Sequence, residues 1–81
     1  MNGINVCIYF LKNNLQVSAN FSAQLTMTEN LKNLVKMLDN ESLLSDDVMP
    51  VVFSKFDDCF IDPSFEISKL NVYPGCKFFV Y

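Results

Sequence analysis

The chain has no histidine and no arginine, and only three cysteines among its 81 residues. Each absence excludes a class of chemistry. Without histidine there is no imidazole to act as a general base or as a fourth metal ligand. Six lysines against nine acidic residues leave a net charge of −3. No basic stripe is available to displace phosphate counterions, which sets nucleic acid aside as a partner. Cys7, Cys59 and Cys76 are odd in number, widely spaced and without a C-x-x-C pair. They fit free thiols in a reducing compartment rather than a disulfide framework or a metal site. The richest apolar zone, Cys7 to Leu11, falls far short of the ~20 residues of a membrane helix. No basic segment with a cleavage site precedes it. Repeats, linkers and low-complexity segments are also missing. The expectation is one soluble, cytosolic domain spanning residues 1–81, not an enzyme, with no cofactor, no metal and no membrane insertion.

What is present is apolar: 51% of the residues, including eight Phe and three Tyr. Ile4, Val6, Ile8 and Phe10 alternate with Asn5, Cys7, Tyr9 and Leu11, predicting a strand over 4–11. Lys12-Asn13-Asn14 then supplies a turn in which asparagine tolerates positive φ. Val17, Ala19, Phe21, Ala23 and Leu25 alternate with polar residues from Gln16 to Gln24, which predicts a second, half-buried strand. At Thr26-Met27-Thr28-Glu29 the period changes, and the spacing is that of a capping box. Met27, Leu31, Leu34, Val35 and Leu38 form one helical stripe over about 27–40, with Glu29, Asn30, Lys32, Asn33, Lys36 and Asp39 on the wet side. Glu41 to Asp47 reads as a loop, with Leu43 and Leu44 tucked onto the core. A third strand is expected over Val48 to Phe53, with Pro50 near its start. Ser54 to Asp58 reads as a turn, and Cys59 to Ile61 as a short fourth strand. Asp62-Pro63-Ser64 breaks the chain, and Phe65 to Leu70 makes one helical turn anchored by Ile67 and Leu70. After the Pro74-Gly75 turn, Lys77 to Tyr81 is the last strand.

This order, together with Thr28-Glu29-Asn30-Leu31-Lys32 at the helix start and Ile67-Ser68-Lys69-Leu70-Asn71-Val72 before the final turn, resembles ubiquitin-like β-grasp domains. The resemblance implies an α+β fold, ββαββ, with one helix across a mixed sheet of four to five strands. Conjugating and sulfur-carrying members of that family end in Gly-Gly, whereas this sequence ends on Phe78-Phe79-Val80-Tyr81. A modifier or sulfur carrier therefore stays open only as an alternative in which a Gly-Gly lies beyond Tyr81. In length, ending and Asn/Lys/Phe-rich composition the chain is similar to the YukD/EsaB family of bacterial type VII secretion accessory proteins. That likeness implies a cytoplasmic, non-catalytic protein-binding module. The partner would be a secretion ATPase or membrane component, or a second copy in a homodimer.

The β-grasp order places the first strand between the second and the last, with the third beside the last. Val51 and Phe53 then face inward and Val52 outward. Tyr9, Val52, Lys77, Phe79 and Tyr81 emerge on the open side of the sheet as candidate partner-binding residues, since contiguous exposed apolar area marks partner surfaces. The exposed helix face around Asn30, Asn33 and Lys36 is a second choice. Asp57, Asp58, Asp62 and Glu66 lack the spacing and the central glycine of a calcium loop, so they read as a solvated turn, as do Asp46 and Asp47. The cysteines read as small half-buried residues. The second strand carries no charge, which counts against a Ras-binding-type domain.

Overall fold

The computed structural model of the chain describes residues 3–40, 43–44 and 49–81. Strands β1 (Gly3–Phe10) and β2 (Leu15–Ser22) form an antiparallel hairpin, followed by helix α1 (Met27–Met37). Three shorter strands complete the sheet: β3 (Val52–Ser54), β4 (Cys59–Ile61) and β5 (Lys77–Val80). The order is β2-β1-β5-β3-β4, with β5 parallel to β1 and every other pairing antiparallel. Among the described residues the fold is α+β, one α-helix on a mixed five-stranded sheet. Among the described residues no helix is long and apolar enough to cross a membrane.

The alternation read from β1 sets the two sides of the sheet. Val6, Ile8 and Phe10 are buried and join Phe21, Val52, Phe78 and Val80 in one core with Met27, Leu31, Leu34 and Val35 of α1. Burying side chains of this size stabilises the fold by about 1.5–3 kcal/mol each. Leu43 is buried and Leu44 packs against the same cluster, as expected. At the hairpin, Asn14 adopts the left-handed conformation (φ 51°) and its N–H bonds Leu11 O. At the Pro74-Gly75 turn Gly75 has φ 90°, a conformation only glycine adopts without strain. Its N–H reaches Asn5 O at 2.8 Å and opens the β1–β5 ladder.

Every orphan donor at the helix start is matched. Thr26 Oγ1 accepts from Glu29 N–H while Glu29 Oε1 accepts from Thr26 N–H, so the capping box is present. The N–H groups of Met27 and Thr28 bond the carbonyls of Phe65 and Pro63. The segment after β4 therefore clasps the helix. That segment is itself turned by Asp62 Oδ1, which accepts the Ser64 hydroxyl at 2.6 Å and the Ser64 N–H at 2.9 Å.

Several boundaries and orientations differ from the expectations. Strand β2 stops at Ser22. The Ala23 and Leu25 carbonyls instead accept from Ser68 and Ile67. Helix α1 ends at Met37, closed by Asp39 at φ 54° with its N–H on Lys36 O and the Asn40 N–H on Val35 O, a Schellman closure. Leu38 consequently leaves the buried stripe. The third strand is Val52–Ser54, with Pro50 ahead of it and Val48 outside the described residues, as are Asp46 and Asp47. Within it the two sides are exchanged. Val52 is buried at 1% exposure, Val51 is exposed, and Phe53 faces away from the core. The cause is register: Val52 pairs with inward Val80 and Phe53 with outward Phe79, and a shift of one residue inverts every side chain. The inward site at Ser54 is filled by its hydroxyl, which accepts from Asp57 N–H.

Asn30 is the other correction. It is buried, not solvated. Its Oδ1 accepts the Ser22 N–H at 2.8 Å, and its Nδ2 approaches the carbonyls of Ser22, Leu25 and Thr26 at 3.1, 3.4 and 3.0 Å. Replacing it strands partly buried backbone groups. Asn30→Ala is expected to lower stability by about 2 kcal/mol or more in urea unfolding; a loss below about 0.5 kcal/mol would show that water replaces the carboxamide.

The Ser64 hydroxyl, and then its N–H, hold the Asp62 carboxyl below the ordinary aspartate range. A depressed folded-state value adds stability above the unfolded-state pKa, and that increment disappears as pH falls through the folded value. Ser64→Ala should move the Asp62 titration, followed by carboxyl NMR, upward towards an ordinary aspartate. An unchanged titration would refute the hydroxyl as the cause.

Candidate functional site

The side of the sheet away from α1 carries a row of rings. Tyr9 on β1 pairs with Phe79 on β5, Phe79 with Phe53 on β3, and Phe53 with Phe60 on β4. Four neighbouring strands thus each place one aromatic residue at the same level. With strands spaced ~4.8 Å apart, the row extends about 15 Å across the sheet. Tyr9 meets Phe79 edge-to-face at 5.8 Å, Phe79 stacks on Phe53 at 6.3 Å, and Phe53 meets Phe60 edge-to-face at 5.1 Å. Tyr81, just past β5, leans on Phe60 at 5.8 Å. Such pairs contribute about 0.5–1.5 kcal/mol each beyond the area they bury.

Exposure grades along the row. Tyr9, Phe79 and Phe53 are half-buried under one another, whereas Phe60 and Tyr81 are 61% and 49% exposed. The Tyr9 hydroxyl donates to Asn14 Oδ1 at 2.6 Å, so the hairpin turn fixes the ring's tilt. Beyond Tyr9 the row ends at Gln16, its partner on β2. Lys77 lies beside the row, exposed, with Cys7 as its β1 partner. Gln16 Nε2 donates to Cys7 Sγ at 2.9 Å. The surface is therefore aromatic through its centre, amide at one end and cationic at one flank. It offers apolar contact with few polar anchors.

Of the five residues expected here, Tyr9, Lys77, Phe79 and Tyr81 share this side, and Val52 does not. Phe53 and Phe60 take its place. The pairing of two short strands determines both positions, and neither strand is long enough to show a period. A second pair of rings, Phe56 and Tyr73 at 5.4 Å, lies at the 55–58 turn, with the Tyr73 hydroxyl on Asn71 Oδ1. The cysteines are scattered: Cys76 is buried, Cys7 half-buried and Cys59 exposed rather than half-buried, because β4 is an outer strand. Among the described residues no three His, Cys, Asp or Glu side chains converge on a metal position.

The exchanged orientation of β3 has a direct test. Phe60→Ser is expected to cost under about 1.5 kcal/mol in chemical denaturation, since most of the ring is already in water. Val52→Ser should cost more than about 2 kcal/mol, because it opens the core and buries a hydroxyl. The opposite ranking would restore the original orientation.

Compared with models of known protein families and with curated proteins, the chain finds no match.

Proposed function

We propose that the chain is a ubiquitin-like β-grasp domain acting as a non-catalytic protein-interaction module, docked through the aromatic row of its sheet. The fold assignment is supported by the strand order β2-β1-β5-β3-β4, the parallel β1–β5 pair and the single capped helix. The observation that carries the function is the row itself. Phe60 and Tyr81 stay largely in water at its β4 end while Tyr9, Phe79 and Phe53 brace them from behind. Preorganised rings bind at low entropic cost, because their rotamers are already fixed by their neighbours. The setting proposed is that of the YukD/EsaB resemblance: a cytoplasmic accessory protein of a bacterial type VII secretion system. Its partner there is a secretion ATPase or membrane component with an apolar patch, flanked by an acidic group opposite Lys77.

The experiment is a pull-down from the native cytosol with wild type and with the Phe60→Ser/Tyr81→Ser variant, read by mass spectrometry. The expected result is a secretion component retained by wild type and reduced at least about tenfold in the variant, as for loss of two aromatic anchors. Identical profiles from a folded variant would remove the aromatic row as the docking surface.

A further inference from the structure

One level below the aromatic row, the open side of the sheet changes character. The β3–β5 register, carried one step past Ser54 and Phe78, sets Lys55 directly against Lys77. The Lys55 N–H bonds Lys77 O at 2.9 Å. These lysines lie two positions from Phe53 and Phe79, so they emerge on the same side as the rings. Across β1 and β2 the level continues with Cys7 and Ser18. No carboxylate stands in it.

Like charges set directly opposite on neighbouring strands destabilise a sheet. This chain has nine acidic residues and only six lysines, yet it places two of the six side by side. Both are exposed, and among the described residues neither ammonium group has an ion-pair or hydrogen-bond partner. The pair is therefore a concentrated positive charge on an acidic protein, with nothing of its own chain to neutralise it.

A cleft of about 310 Å³ opens at this pair, lined by both lysines, Phe56, Tyr73 and the Pro74-Gly75-Cys76 turn. Tyr73 O accepts the Cys76 N–H at 3.0 Å across Pro74 and Gly75, the pattern of a type II turn with its positive φ at glycine. A Cβ at Gly75 would meet nothing within 4 Å, so the wall there is bare backbone. Phe56 and Tyr73 meet edge-to-face at 5.4 Å and remain 60% and 49% exposed. The Tyr73 hydroxyl donates to Asn71 Oδ1, and Asn71 Nδ2 donates to Asp57 Oδ1 at 3.3 Å, which ties the two turns together. Asp57 and Asp58 follow in the same turn, but neither lines the cleft.

We propose that this cleft binds a phosphomonoester carried near a flat ring, with the phosphoryl oxygens between Lys55 and Lys77 and the ring against Phe56 and Tyr73. A phosphomonoester brings close to two negative charges at neutral pH and three strong acceptor oxygens, so one group engages both ammonium groups. A carboxylate, with a single charge, leaves one lysine unneutralised. Lysine serves such a group as a point charge. The N–H groups of Gly75 and Cys76 are already bonded to Asn5 O and Tyr73 O, so the lysines carry the charge recognition. Rings still in water gain by packing against a ligand ring. The site does not rest on the aromatic row as a docking surface.

The test titrates phenyl phosphate into the full chain and follows amide NMR. The amides of Lys55, Phe56, Gly75 and Lys77 should shift together, with those of the other lysines unmoved. Inorganic phosphate, which lacks the ring, and phenyl sulfate, which carries one charge, should each bind at least about fivefold more weakly. Both lysines are exposed, so Lys55→Gln and Lys77→Gln keep the fold, and each should weaken phenyl phosphate at least about fivefold. Phe60→Ser/Tyr81→Ser should bind it as wild type does, which separates this site from the docking row. Two further ligands distinguish the source of the group. Tighter binding of adenosine monophosphate assigns a free nucleotide, and tighter binding of a capped phosphotyrosine peptide assigns a modified partner protein. Four results would overturn the inference: no shift at millimolar phenyl phosphate, equal shifts at all six lysines, equal affinity for inorganic phosphate or phenyl sulfate, or unchanged affinity in both glutamine variants.

Discussion

One carboxamide joins the hairpin to the helix. Asn30 sits in the first turns of α1, yet its side chain is occupied by the last residue of β2, the turn after it and the helix cap. Three segments that would otherwise need separate solutions for their backbone groups share this single side chain. The helix cannot tilt away from the sheet without stripping the end of β2 of its partner. The angle at which α1 crosses β2, and hence the floor of the groove between them, depends on that arrangement. A buried polar network of this kind is worthwhile only when complete, and here no buried side-chain polar atom among the described residues is left unmatched.

The sheet divides its labour by side. Inward residues of β1, β2, β3 and β5 make one apolar core with the helix, while outward residues of β1, β5, β3 and β4 make the aromatic row. Only β2 departs from this plan. Its outward residues are Gln16, Ser18, Asn20 and Ser22, and Asn20 Nδ2 bonds Asn5 Oδ1 across the hairpin at 2.9 Å. The aromatic area and the β2 edge thus occupy different parts of one small sheet.

Long periodic segments were legible and short ones were not. β1 and β2 show eight residues of alternation each, enough to fix side and pairing, and the capping box marks the helix start to the residue. The strand order expected from the β-grasp resemblance matches the order observed. β3 and β4 have three residues each, and three residues contain no readable period. Val52 and Phe53 are both good strand formers, so composition does not say which faces in; the partners Val80 and Phe79, far along the sequence, decide it. Asn30 was misread for a related reason. An asparagine on a helix is ordinarily solvated, and the groups that draw it inward belong to a turn whose geometry is not local to it. Four of the five expected surface residues followed from the longer β1 and the strongly apolar β5, whereas Phe53 and Phe60 needed the tertiary register.

The parallel β1–β5 pair, in the middle of the sheet, joins residues seventy positions apart, Cys7 with Lys77. On the ribosome the β1–β2 hairpin emerges long before the strand that covers its other side. At ~5–20 residues per second the wait is roughly 4–14 seconds. Throughout it the hairpin has two open borders rather than one, and Val6, Ile8 and Phe10 lack the neighbours that later seal them. The fold is therefore complete only once β5 has been made, and until then the hairpin's second border stays open to other strands.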